Sequence, residues 1–150
     1  MRIALFEPEI AGNVGAVLRL GACLGAAVDL IEPMGFEWDD RRVRRTAMDY
    51  IDHVIIARHT DFGAFRTAVG SRRLILFTTK SSQSAYDFDY MADDVLLFGK
   101  ESAGVPNAIA DACHSRLCIP MRPQVRSMNL ATSTALALGE ALRQTATLPS

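Results

Sequence analysis

The sequence predicts an α/β fold, a parallel sheet with helices on both faces. Three observations lead there. Short apolar runs alternate with stretches of helical period along the whole chain. The runs are continuously apolar rather than alternating with polar residues, the pattern of strands buried on both faces. The segments that follow several of these runs gather Gly, Pro, Asn and charged residues, and ligands of open α/β sheets bind beyond the carboxyl ends of the strands.

Taken in order, Ile3–Phe6 reads as a first strand, and a loop over Pro8–Gly12 leads into a helix over Asn13–Ala26 with Asn13 as its N-cap. Val28–Ile31 is a second strand, ended by Pro33-Met34-Gly35. Arg41–Met48 reads as a short charged helix, Val54–Ala57 as a third strand, and Asp61–Val69 as a helix capped by Thr60 or Asp61. Leu74–Thr78 is a fourth strand, followed by a polar loop over Lys80–Asp94. Val95–Phe98 is a fifth strand, then comes a glycine-containing loop and a helix near Asn107–Cys113. Leu117–Pro120 is a sixth strand. The last helix runs from about Asn129 to about Gln144, and Thr145–Ser150 is expected to fray. The absence of repeats, low-complexity tracts and linkers predicts one domain over residues 1–150.

Composition narrows the function classes. The chain has 150 residues, 49% of them apolar, enough for a core without disulfide staples. A net charge of −1 argues against a uniformly basic nucleic-acid coat, although RNA binding needs only a local basic patch. Cys23, Cys113 and Cys118 are odd in number and each lies among apolar residues, so buried reduced thiols and a cytoplasmic location are expected. The first residues contain no signal-peptide pattern, and no apolar run is long enough for a membrane span. His53, His59 and His114 lie far from other ligand-type residues and read as structural; no metal site is expected.

Three loops carry the chemistry. After the first strand, Gly12-Asn13-Val14-Gly15 is followed by Arg19, which helical spacing places on the face of Gly15. That arginine is either a solvated side chain or a bidentate phosphate ligand. After the fifth strand, Gly99 and Gly104 flank Glu101. The pair permits close backbone approach to a ligand, and the carboxylate either accepts from it or sits in a plain turn. After the sixth strand, Ile119-Pro120-Met121 leads through Arg122 and Arg126 to Ser127, Met128 and Asn129. At least one of the last polar residues caps the final helix. That helix is apolar nearly all round and rich in small residues, which suits a subunit interface. Arg41, Arg42, Arg44 and Arg45 form the densest basic patch, either a solvated face or a phosphate contact. Phe36 and Trp38, just before it, read as rim packing more readily than as base-stacking groups.

Together these loops resemble the SPOUT methyltransferases, in their TrmH-like branch, over nearly the whole chain. "LFEPEIAGNVGAVLRL" contains the first motif as Asn13, Gly15 and Arg19. "FGKESAGVP" contains the second as Gly99, Glu101 and Gly104, and "IPMRPQVRSMNLA" the third as Ile119-Pro120 with Ser127, Met128 and Asn129. "IEPMGFEWDDRRVRR" narrows the likeness to the group acting on the tRNA wobble nucleotide. The resemblance implies a C-terminal trefoil knot and a homodimer packed through it. It implies an S-adenosyl-L-methionine-dependent enzyme that methylates the ribose 2′-hydroxyl of a wobble cytidine or modified uridine, in a leucine tRNA among the nearest relatives. Phe77, Thr78, Thr79, Gly99, Glu101, Gly104, Ile119, Met121, Ser127 and Leu130 are then the cofactor-binding residues. Arg19, Asn13, Glu101, Ser127 and Asn129 are the catalytic set. Arg19, Arg41, Arg42, Arg44, Arg45 and Arg126 are the RNA contacts, with the basic patch on the anticodon stem-loop.

The chain departs from the family at Gly12, where Pro is usual, at Ala16, where Asn is usual, at Ala131, where a polar residue is usual, and at Gly139, where Tyr is usual. Three rival readings remain. A relative acting on another tRNA position or on ribosomal RNA would share all three motifs. A catalytically inactive RNA-binding or dimerisation module would keep the fold. A nicotinamide-dependent oxidoreductase is suggested by Gly12, Gly15 and Glu32 near the end of the second strand, but the GxGxxG fingerprint is missing.

Overall fold

A computed structural model describes all of residues 1–150. Six strands form one sheet: β1 Arg2–Phe6, β2 Ala27–Ile31, β3 Ile56–His59, β4 Leu74–Phe77, β5 Val95–Phe98 and β6 Ser115–Leu117. Their order is β3-β2-β1-β5-β4-β6, and every pairing is parallel. The five α-helices are α1 Ala11–Leu24, α2 Asp40–Ala47, α3 Phe62–Val69, α4 Asn107–Ala112 and α5 Leu130–Gln144.

The strand side chains divide by the period of two. Ile3 and Leu5, Val28 and Leu30, Ile75 and Phe77, and Leu96 and Phe98 join a core cluster with α1, α2 and α5. Ala4 and Phe6, Leu74 and Leu76, and Val95 and Leu97 face the other way, onto Phe65 and Val69 of α3 and the flank of α4. This is the double-sided burial that the unbroken apolar runs predict.

Several boundaries differ from the sequence reading. β3 lies two residues later than expected and includes the polar Arg58 and His59. It is an edge strand, and its polar groups find partners on and just after β2: Arg58 pairs with Glu32, which follows β2, and His59 Nε2 lies 2.8 Å from Asp29 Oδ1. Asp29 is buried and also accepts from Arg2 at 2.7 and 2.9 Å, so His59 completes a satisfied charge cluster. β6 ends at Leu117 because the chain changes partner there: Cys118 pairs with 83–85, donating to Gln83 O and accepting from Ala85 N, both at 2.8 Å. A 3-10 helix over Met48–His53, which the sequence reading lacks, follows α2. Cys23 is exposed rather than buried, because it lies on the outer side of α1; Cys113 and Cys118 are partly covered.

Asn13 is not the cap of α1. The helix begins earlier, at Ala11 after Ile10, and no side chain of the cap residue closes it. Asp61 caps α3 as expected, accepting from Ala64 N at 2.7 Å, and Asn129 caps α5 by accepting from Thr132 N at 3.2 Å.

The long segment between β4 and β5 is tied to the C-terminal part of the chain from two sides. Thr78 N donates to Leu117 O, Ser81 Oγ to Arg116 O, and Tyr90 N to Gln144 Oε1 near the end of α5.

Candidate active site

The carboxyl ends of β1, β4, β5 and β6 open onto the same edge of the sheet, and a cavity of about 370 Å³ lies there. Its apolar floor is the end of two adjacent strands, where Phe77 and Phe98 stack at 4.9 Å with their rings 12° apart. Thr78 and Thr79 continue from β4, Gly99 to Glu101 and Gly104 from β5, and Ile119, Met121 and Ser127 to Leu130 from the segment after β6. All ten residues expected to hold a cofactor line this one cavity, together with Asn13 and Asn129. Its volume falls within the range of small-molecule sites, about 300–1,000 Å³.

The loop after β5 is folded backbone on backbone. Lys100 and Gly104 exchange hydrogen bonds, Lys100 N to Gly104 O at 3.1 Å and Gly104 N to Lys100 O at 2.8 Å. A Cβ on Gly99 would fall 2.4 Å from the carbonyl carbon of Gly104, and Gly104 itself has φ +65°. Glycine is needed at the first position for lack of space and at the second for its left-handed backbone.

That fold aims Glu101 at the start of α1. Its carboxylate accepts from Glu9 N at 2.8 Å, Ile10 N at 3.3 Å and Asn13 Nδ2 at 3.2 Å. A carboxylate at a helix N-terminus satisfies free N–H groups and complements the helix dipole. Glu101 therefore closes the helix that Asn13 was expected to cap, from about ninety residues away in sequence. These internal donors occupy most of the acceptor positions of the Glu101 carboxylate.

Asn13 then relays the connection. Its Oδ1 accepts from Asn129 Nδ2 at 3.0 Å, and Asn129 Oδ1 accepts from Thr132 N. The three motifs thus meet in one chain of hydrogen bonds, Glu101–Asn13–Asn129–Thr132, along the cavity wall.

The arginines lie elsewhere. Arg19 shares a face of α1 with Gly15, as helical spacing predicts, but that face meets α2 and the 3-10 helix. A Cβ on Gly15 would fall 2.4 Å from Thr46 Cγ2, and the Arg19 guanidinium sits 5.1 Å above the ring of Tyr50. Arg19 does not line the cavity of its own chain. Arg41, Arg42, Arg44 and Arg45 are all exposed on α2, and Arg126 is exposed in the loop before α5; none lines the cavity. Arg44 lies 3.2 Å from Asp52. Trp38 is half-buried at the rim of the core, donates to Asp40 Oδ1 at 2.8 Å and carries Arg58 5.1 Å from its ring.

Sequence reasoning omitted Ile10, Phe98, Lys100, Met128 and Ser133 from the cofactor site, yet all line the cavity. Ser133 stands one helical turn beyond Asn129, and Lys100 stands between two assigned residues, so spacing alone would have found both. Glu32 is held by Arg58 and is absent from the cavity, which removes the acid a nicotinamide-binding reading needs. His114 Nδ1 accepts from Leu74 N at 3.1 Å, a structural role. Burial pushes the Cys113 thiol up to about 11, so it is neutral at physiological pH. No cluster of three His, Cys, Asp or Glu side chains is arranged for a metal, and no helix is long and apolar enough to cross a membrane.

The chain is similar to known proteins over nearly its full length. It is 49% identical over 148 residues to a tRNA (cytidine(34)-2′-O)-methyltransferase of Beijerinckia indica, covering 97% of this chain and 92% of that one. It is 42% identical over 146 residues to the protein of the same description from Escherichia coli K12, covering 96% and 93%. Among solved structures, one described as giving insight into 2-OH methylation of C/U34 on tRNA superposes with a TM-score of 0.91 at 38% identity, covering 95% of this chain and 94% of that one. The SpoU methyltransferase AviRb of Streptomyces viridochromogenes, solved in complex with the cofactor AdoMet, gives a TM-score of 0.83 at 26% identity, covering 96% and 57%. The SpoU rRNA methylase family matches residues 1–139, and the chain belongs to that family.

Proposed function

We propose that this chain is a single-domain, S-adenosyl-L-methionine-dependent tRNA 2′-O-methyltransferase that modifies the wobble nucleotide. The observation that carries the reading is the convergence of three motif loops on one cavity, joined through Glu101, Asn13 and Asn129. The near-full-length likeness to tRNA (cytidine(34)-2′-O)-methyltransferases supplies the nucleotide. A leucine tRNA with cytidine or a modified uridine at the wobble position is the substrate this reading favours, and the cytoplasm its place of action.

The residues present fit the cofactor. The stacked Phe77 and Phe98 give an apolar floor, and the glycine loop presents backbone groups. Thr78, Met121, Ser127 and Leu130 complete the enclosure. When bound there, S-adenosyl-L-methionine supplies a methyl group carried on a positively charged sulfonium. The chain's task is to hold the ribose hydroxyl in line and exclude competing nucleophiles, so positioning provides most of the rate. Ser127 and Asn129 stand at the cavity wall to orient the ribose. Arg19 holds the neighbouring phosphate and polarises the hydroxyl. It is not the proton acceptor, because a guanidinium has a pKa above 12.

Arg19 can serve that role only at a cavity other than its own chain's. A homodimer that sets α1 of one copy beside the cavity of the next meets the requirement, and the exposed Ala135 and Leu136 of α5 offer an apolar face for it. The ties from segment 78–94 to β6 and α5 are those a trefoil-knotted C-terminus would make.

The test is methyl transfer from labelled S-adenosyl-L-methionine to total tRNA of a strain lacking the wobble modification, followed by mapping of the labelled nucleotide. The expected result is label on the wobble 2′-oxygen with wild-type protein, and a loss of about 100-fold or more with Arg19→Ala at unchanged cofactor affinity, the size of effect that loss of a positioning group produces. Label at another tRNA position or on ribosomal RNA would overturn the substrate assignment. Near-normal turnover by Arg19→Ala would overturn the role of Arg19.

A further inference from the structure

Lys100 is the one cationic side chain that lines the cavity. The other charged residue there, Glu101, is engaged by three donors of the α1 entry. Lys100 does not point at the stacked phenylalanines. Its ammonium reaches 2.9 Å from Glu7 Oε2, at the end of β1. Glu7 has φ +44° and turns the chain out of the strand there. The pair is only partly covered, with the lysine side chain 30% and the glutamate 25% exposed. An ammonium held this loosely remains able to exchange one anionic partner for another.

Its position in the sheet order says which partner. Most of the groups that enclose the cavity come from the ends of β5, β4 and β6, with Ile10 and Asn13 on the side of β1; Glu7 follows directly on β1, across β5 from β4 and β6. Beyond β1 the loop of residues 7–10 touches the loop after β2: Gly35 N donates to Pro8 O at 2.9 Å, and a Cβ on Gly35 would fall 2.8 Å from Glu9 Cα. That second loop continues through Trp38 to the arginines of α2. Lys100 therefore lines the cavity while its ammonium lies on the β1 side, beside the segment of residues 7–10.

We infer that Lys100 is a substrate-positioning residue that leaves Glu7 to bind a backbone phosphate of the RNA beside the methylated ribose. This rests on the RNA methyltransferase reading above. The ammonium is a suitable point charge for a phosphate. Its bond to Glu7 holds its pKa above the ordinary lysine range, so it acts as a cation and not as a base. Glu7 keeps the charge in place until the RNA arrives.

The experiment compares wild type with Lys100→Gln, Lys100→Arg and Glu7→Gln. It measures binding of an anticodon stem-loop RNA by anisotropy across a salt series, and binding of S-adenosyl-L-methionine by calorimetry. For Lys100→Gln the RNA affinity at low salt falls about tenfold and the slope of log affinity against log salt becomes shallower by about 0.9, as for one lost phosphate contact. Cofactor affinity changes less than about twofold. Lys100→Arg restores both RNA readouts, and Glu7→Gln, which frees the ammonium, tightens RNA binding. An unchanged salt slope in Lys100→Gln would overturn the inference. So would an equal loss of cofactor affinity, which would place Lys100 on the cofactor's carboxylate instead. Because these readouts need no turnover, they stand apart from the methyl-transfer assay. Absence of methyl transfer by wild type to any RNA would defeat the functional reading alone.

Discussion

The cavity and the arginine-bearing surface are built in opposite ways. Around the cavity, residues far apart in sequence are locked together: Glu101 holds the entry of α1, Asn13 holds Asn129, and Gly99 lies against Gly104 with no room for a Cβ. On α2, Arg41, Arg42, Arg44 and Arg45 are exposed side chains with little to fix them. Arg44 has an ion pair, but both partners are more than half exposed, and such pairs contribute little. A fixed backbone cradle suits a single small cofactor that must be held in one pose. Mobile cations suit a polyanion whose charges are met one by one. The first region should therefore fail as a unit when one member is removed, and the second should weaken in steps.

Among effects on cofactor binding and stability, the largest is expected from Glu101→Ala. It strands two backbone N–H groups and the Asn13 amide, and bonds to a charged acceptor are worth about 1.5–3 kcal/mol each in favourable cases. Asn13 and Asn129 then lose their fixed orientation. Calorimetry should show S-adenosyl-L-methionine affinity reduced by at least about tenfold, which is about 1.4 kcal/mol. The thermal midpoint should fall as well. Cofactor binding within twofold of wild type would mean that the cavity does not depend on the motif network and would erase the contrast between the two regions.

A graded effect confined to RNA binding, with no loss of stability, is expected from Arg41→Glu combined with Arg45→Glu. Two exposed cations become anions, so RNA affinity at low salt should fall by roughly tenfold or more, with a salt slope shallower by about 2. Cofactor affinity and thermal stability should stay at wild-type values, since neither side chain has an ion pair to lose. Anisotropy with the stem-loop RNA at several salt concentrations measures the first, and calorimetry the second. A parallel loss of cofactor affinity would show that the two regions are coupled.

The same contrast explains what the sequence made legible. The strands were readable because both faces are buried, so Leu74–Phe77 and Val95–Phe98 are apolar at every position. β3 was misplaced because Arg58 and His59 look like loop residues, and only their partners Glu32 and Asp29, after and on β2, make them acceptable in an edge strand. The cavity's lining was expected from the family resemblance of the three motif loops, not from local spacing, which left each loop open to a purely structural reading. The partner of Glu101 was not legible, because a bond spanning ninety residues leaves no local pattern; local rules assigned the cap to Asn13. The location of Arg19 was half legible: helical spacing gave its face, but which element that face meets depended on the packing of α1 against α2 and the 3-10 helix.

The smallest effect concerns the α5 face through which a second copy would pack. Gly139 lies within α5, and a Cβ built there meets nothing within 4 Å. Alanine in a helix interior is favoured over glycine by about 0.8–1.0 kcal/mol. Gly139→Ala should therefore raise the thermal midpoint by roughly 2–4 °C, the shift that about 1 kcal/mol produces in a chain of this size. Differential scanning calorimetry at two protein concentrations makes the comparison. A midpoint that rises equally at both would place Gly139 on open surface. A midpoint that falls, and falls further at the higher concentration, would mean that a second copy approaches α5 closely enough to need the glycine, so that the space beside it is closed by the dimer rather than left to solvent or substrate.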